Sequence, residues 1–152
     1  MSGQPTTLRL AREALDEHRQ IHFFLDQVSQ TLRGLREGLS DVEPMRRLAA
    51  QLDALKERLK EHHHLEERRG MFRSILEQLP EARIEISRLV RQHEKMIEIL
   101  EMARIHAQCG ETSEADALRV DLESFLVMFR NHERDEERLL EQAISRERAS
   151  LE

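Results

Sequence analysis

The chain predicts an all-α protein, an antiparallel up-down-up-down bundle of four helices, and three observations carry that prediction. Charged residues make up 36% of the 152 positions and hydrophobic residues 39%, with only five glycines and three prolines, which is the composition of long helices. Leucines recur at alternating three- and four-residue spacing in every long segment. The breaks between those segments are short: Gly38 to Pro44, Gly70 to Pro80 and Cys109 to Ser113. A chain of this length holds one ordinary domain with a real core, so 1–152 is read as a single domain with helices at about 6–38, 44–70, 81–108 and 113–147.

The first helix carries an expected inward stripe of Leu8, Ala11, Leu15, His18, His22, Leu25, Val28, Leu32 and Leu35. The second follows Asp41, a suitable N-cap, and presents Leu48, Leu52, Leu55, Leu59, His62 and Glu66 before Gly70 to Pro80 loosens and ends it. In the third the stripe reads Ile86, Leu89, His93, Ile97, Leu100 and Ala103, with Met96 and Met102 read as core filling, and Gly110 suits its C-terminus. The fourth begins near Thr112 or Ser113 and reads Leu118, Leu122, Phe125, Phe129, His132, Glu136 and Leu140. Its last residues, 146–152, are charged and expected to fray. Each polar interruption falls near the middle of its helix or just beyond, so antiparallel packing brings all of them into one layer.

An internal repeat sharpens this register. A shift of seventy residues carries Leu48, Leu52, Leu55, Leu59, His62, Glu66, Glu67 and Arg68 onto Leu118, Leu122, Phe125, Phe129, His132, Glu136, Glu137 and Arg138. A shift of seventy-five carries His18, Ile21 and Leu25 onto His93, Met96 and Leu100. The bundle therefore reads as a duplicated helix pair. Spacing also permits a rival register, His63 with Glu67, towards which Met71 and Ile75 would tilt the second helix; the upstream leucines and the repeat favour His62 with Glu66.

The polar stripe needs a chemical explanation. A buried carboxylate without a partner costs several kcal/mol and a buried unpaired imidazole about 1–3, against a total stability of about 5–15. Mutual ion pairing among His18, His22, His62, Glu66, His93, His132 and Glu136 leaves five imidazoles for two carboxylates. Residues four apart on a helix lie on one face with Cβ atoms roughly 5–6 Å apart, so each His-x-x-x-Glu pair can reach one ion. Imidazole with carboxylate and no thiolate suits iron, zinc, manganese or copper. Two ions about 3.5–4 Å apart would let Glu66 and Glu136 bridge while the imidazoles bind terminally. His22 is placed by its spacing from His18 as a ligand or as a donor to one.

These residues resemble the hemerythrin-like family, whose HHE domain is a four-helix bundle with a non-haem di-iron centre. The resemblance spans nearly the whole chain and rests on His18 in Asp-Glu-His-Arg, His62-x-x-x-Glu66, His93 in Arg-Gln-His-Glu, and His132-x-x-x-Glu136. It implies two iron ions, cycling between Fe2+ and Fe3+, with a bridging oxo or hydroxo group and an open position for dioxygen. The oxygen carriers of the family have a further histidine where this chain has Ile97; here the extra histidine is His22, on the first helix. The carriers also space their last histidine and acid more widely, with aspartate.

Three functions follow from that resemblance: binding of dioxygen or a related ligand such as nitric oxide for sensing, buffering or delivery; a redox enzyme acting on peroxide or nitric oxide; and metal storage or a structural bundle. Whether the chain is an enzyme stays open, as does any redox or signalling protein partner. Tyrosine and tryptophan are absent, so a tyrosyl radical is excluded. The net charge of −6 is mixed along every segment, without the basic block that nucleic acid requires. No apolar run is long enough for a membrane span, and the lone Cys109 fits a reducing compartment, so the expectation is a cytoplasmic protein.

Overall fold

The computed structural model describes residues 6–36, 42–109 and 115–151. The four expected helices are α1 (Thr6–Arg36), α2 (Val42–Glu67), α4 (Arg83–Cys109) and α5 (Ala115–Leu151), with a short α3 (Met71–Gln78) and a 3₁₀ turn (Pro80–Ala82) between α2 and α4. Among the described residues there is no strand, and no helix is long and apolar enough to cross a membrane.

Side-chain contacts fix the direction of every neighbour. Thr31 reaches Gln51 while His62 reaches Glu17, so α1 and α2 run opposite ways. Lys56 with Glu101 and His93 with Glu67 do the same for α2 and α4. Arg138 with Glu85 and His132 with Gln92 orient α4 against α5, and Thr7 with Glu147 and His22 with Glu133 close the ring between α5 and α1. Each helix is antiparallel to both neighbours, as in an up-down-up-down bundle.

The apolar core is split in two. One half packs Ile21, Leu25, Leu48, Leu52, Leu55, Leu59, Leu100, Leu122, Phe125 and Phe129; the other packs Leu10, Ala14, Leu65, Met71, Phe72, Ile75, Leu89 and Leu139. Between them lies a buried layer of His18, His62, Glu66, His93, His132 and Glu136.

Four details depart from the sequence expectations. The segment after α2, expected only to loosen, folds as α3, because Met71, Phe72, Ile75 and Leu79 share one face and bury it against α1 and α5. Gly70, at φ 102°, supplies the left-handed turn that separates α3 from α2. In α1 the buried stripe is Ala11, Ala14, His18, Ile21, Leu25 and Val28, while Leu15 is 46% exposed and His22 lies at the surface. Both readings alternate threes and fours, and they part where small Ala14 allows close approach that a leucine count passes over. Met102, expected in the core, is exposed, and the C-terminal segment expected to fray is helical to Leu151. The expected caps Asp41, Gly110, Thr112 and Ser113 and the side chain of Leu35 fall outside the described residues.

Candidate metal centre

Each long helix contributes to the layer at the point where its leucine stripe is interrupted. On α2 and α5 the four-residue spacing stacks imidazole and carboxylate on the inward face, so His62 contacts Glu66 and His132 Nε2 lies 2.5 Å from Glu136 Oε2. The single histidines of α1 and α4 complete two pairs. His18 Nε2 is 3.0 Å from His62 Nε2, and His93 Nε2 is 3.1 Å from His132 Nε2.

The two carboxylates span both pairs. Glu66 directs Oε1 to His62 and places Oε2 2.8 Å from His93 Nε2. Glu136 directs Oε1 to His18 at 3.5 Å and Oε2 to His132. Two groups of ligand atoms result, His18, His62, Glu66, Glu136 and Glu66, His93, His132, Glu136, each with its atoms within 4.8 Å of one another. Both carboxylates are completely buried.

Three of the four outward nitrogens are hydrogen-bonded as well. His62 Nδ1 lies 3.1 Å from Glu17 Oε1, His93 Nδ1 2.8 Å from Glu67 Oε2, and His132 Nδ1 2.7 Å from Gln92 Oε1. His18 Nδ1 faces Glu133 Oε2 at 3.5 Å without a hydrogen bond. An Nδ1–H that donates outwards leaves the Nε2 lone pair pointing inwards, the tautomer a metal requires. Two lone pairs about 3 Å apart repel unless a proton or a cation lies between them. Glu66 Oε1 and both oxygens of Glu136 also lack a hydrogen bond. The donor set therefore fits a pair of cations.

Of the seven residues singled out in the sequence, six meet in this layer and His22 does not. Its side chain is 48% exposed and binds Glu133, with Nε2 2.9 Å from Oε2, and its ring meets the edge of Phe129 at 5.5 Å. His63 is buried outside the layer, stacked on His93 at 3.7 Å, while Glu67 is half-exposed. Thus His62 and Glu66 face the centre, and Glu67 acts on it through His93. Glu17, Gln92 and Glu133 were not singled out in the sequence. The signal was present: Glu17 and Gln92 directly precede His18 and His93, at the same place in the seventy-five-residue repeat.

Charge in the layer is strongly coupled. Burial disfavours a charged imidazole at His62, but Glu66, Glu136 and Glu17 outweigh it and hold the pKa well above 6.5. His132, equally opposed by burial, is pushed up to about 9 by Glu136 and Glu66. Burial would raise Glu66, yet His62, His132 and His93 hold it well below 4.5. His63 is the opposite case, lowered to about 2 by burial and by His93.

A pH dependence of the metal-free protein follows. A raised histidine pKa contributes stability in full below its unfolded value, and that contribution is lost as pH rises through the folded value. A depressed carboxylate contributes above its unfolded value and loses that contribution as pH falls. The lowered His63 adds an opposite contribution, costing stability increasingly as pH falls below 6.5, so metal-free stability is expected to peak near 6.5, to fall below it, and to fall again as pH rises from 6.5 through about 9. Urea melts across that range would test this, and a flat or rising stability from pH 6.5 to 9 would contradict it.

Comparison with known proteins gives one match. The family model described as hemerythrin HHE cation binding domain matches residues 9–144. No curated protein matches the chain, and no solved structure does.

Proposed function

This chain belongs to the hemerythrin HHE cation-binding family, and from that premise we propose that it is a non-haem di-iron protein that binds dioxygen or a related small ligand. His18 and His62 would hold one ion, His93 and His132 the other, and Glu66 and Glu136 would bridge them. The observation that carries the reading is that each buried carboxylate turns one oxygen to each histidine pair. A single ion would leave one pair and two oxygens unused.

Iron bound there would supply the reversible electron exchange with dioxygen that no side chain of this protein can provide. The chain's own contribution is positioning and exclusion. The chain would offer each ion two imidazoles and two carboxylate oxygens, fewer donors than six-coordinate iron would take, so a small exogenous ligand could be accommodated beside these residues. Glu17, Glu67 and Gln92 fix the ring orientations through Nδ1. Leu59, Phe125 and Phe129, packed in the apolar half next to His18, keep water from that side. Among the described residues the only buried carboxyl or imidazole beyond the inner donors is His63, stacked on His93 with its ring outside the layer, which favours binding over acid–base turnover. A cytoplasmic, reducing setting would suit both ferrous iron and the exposed thiol of Cys109.

The test is the absorption spectrum of iron-loaded, reduced protein, recorded before oxygen is admitted, after it, and after its removal. A visible charge-transfer band that appears with oxygen and disappears on its removal is expected. Irreversible oxidation to a stable spectrum would replace binding with a redox enzyme acting on peroxide or nitric oxide, and failure to take up iron would overturn the proposal.

A further inference from the structure

The two halves of the layer carry the same inner donors and different outer charges. By the repeat, Glu17 on α1 and Gln92 on α4 occupy equivalent positions, each one residue before a layer histidine. They do equivalent work: Glu17 receives the Nδ1 of His62 at 3.1 Å, and Gln92 receives the Nδ1 of His132 at 2.7 Å. One acceptor is a carboxylate, the other a neutral carboxamide. The repeat also pairs Glu133 with His63. Glu133 is a carboxylate facing His18 Nδ1 at 3.5 Å, whereas His63 is an imidazole stacked on the ring of His93. The acid behind His93 is Glu67 instead, at 2.8 Å from Nδ1. Each half thus has one carboxylate hydrogen-bonded to an imidazole, Glu17 or Glu67, but the half built from His18 and His62 has a second carboxylate charge beside it, Glu133, at ion-pair distance from His18 without a hydrogen bond, where the other half has the neutral Gln92 on His132.

We propose that Glu17 and Gln92 make the dinuclear centre electronically unsymmetrical, so that the ion held by His18 and His62 gives up its electron first and the ion held by His93 and His132 stays ferrous longer. The inference rests on the di-iron reading above. A carboxylate hydrogen-bonded to Nδ1–H draws the proton towards itself, makes the imidazole a stronger donor and stabilises the more highly charged ion; a carboxamide does so less. The asymmetry arises outside the inner ligand set, which is matched residue for residue across the repeat. Glu133 is shared with His22, whose Nε2 lies 2.9 Å from it, so Glu17 and Gln92 form the cleaner contrast.

The experiment is a mediated anaerobic redox titration of iron-loaded protein at pH 8, above the ordinary imidazole range, with the mixed-valence state followed by electron paramagnetic resonance. Two one-electron steps are expected. Glu17→Gln removes the charge from the half oxidised first and raises the lower potential; Gln92→Glu adds a charge to the other half and lowers the higher one. Each substitution is expected to change the matching ferric-to-ferrous affinity ratio by about tenfold, a shift of about 59 mV for a one-electron couple. Both therefore narrow the gap. A gap that widens in either variant reverses the assignment and overturns the proposal, and so does a gap unmoved in both. Iron content is measured first: fewer than two ions per chain would remove the di-iron reading itself, whereas two ions with unmoved potentials would leave that reading standing and remove only this inference.

Discussion

Under the proposed dinuclear assignment, Glu66→Ala is expected to cost the protein both metal ions, not one. A histidine of the layer serves a single half, but Glu66 sends one oxygen to His62 and the other to His93, so its removal takes a donor from each ion. It also removes an anion from a site where imidazoles converge, and the charge of two cations then goes largely unbalanced. Loss of a partner merely hydrogen-bonded to a ligand reduces metal affinity by about 10–100-fold; loss of a ligand common to both ions exceeds that. His18→Ala is expected to weaken mainly the ion it shares with His62. His22→Ala is expected to leave both in place, since His22 reaches the layer only through Glu133. Metal content after equilibrium dialysis distinguishes these outcomes. A Glu66→Ala protein that keeps one tightly held ion would break the bridging assignment, and a His22→Ala protein that loses one would restore His22 to the ligand set.

The contrast between His22 and Glu66 also shows what the sequence could convey. The α2 and α5 stripes are unbroken leucine and phenylalanine up to the polar pair, and two copies in one register left little room for the rival His63 with Glu67. In α1 the register was ambiguous, because Leu10, Ala14 and Ile21 compete with Leu8, Leu15 and His22 for the same face, and only packing against α2 and α5 selects between stripes about one residue apart. α3 was hidden for a different reason. Eight residues between a glycine and a proline resemble a linker, and the helix is held by tertiary burial of Met71, Phe72 and Ile75, with no cap from a side chain. The groups behind the imidazoles were the least legible: a glutamate beside a histidine on a charged helix looks like any solvated acid until the neighbouring helix brings an Nδ1 to it.

Replacing the whole layer with apolar residues is expected to give a metal-free bundle more stable than the metal-free parent. Six buried polar side chains interrupt an otherwise continuous core, and their mutual ion pairs recover only part of the desolvation cost. Leucine at His18, His62, His93 and His132 with methionine at Glu66 and Glu136 keeps volumes close and joins the two apolar halves. Exchange of a buried ionic group for apolar packing of similar volume often gains about 1–4 kcal/mol, and each kcal/mol moves the melting temperature by about 2–4 °C in a chain of this size. The parent regains the difference on loading: a ligand at about a thousand times its dissociation constant adds about 4.1 kcal/mol to the folded state. The two melting curves are therefore expected to cross, with the variant above the metal-free parent, indifferent to added metal, and the loaded parent at or above the variant. A variant less stable than the metal-free parent would mean that the layer specifies the packing of the bundle rather than weakening it. The cost is then intelligible as the condition for binding: a layer that packed well without metal would have no unmet lone pairs to offer one.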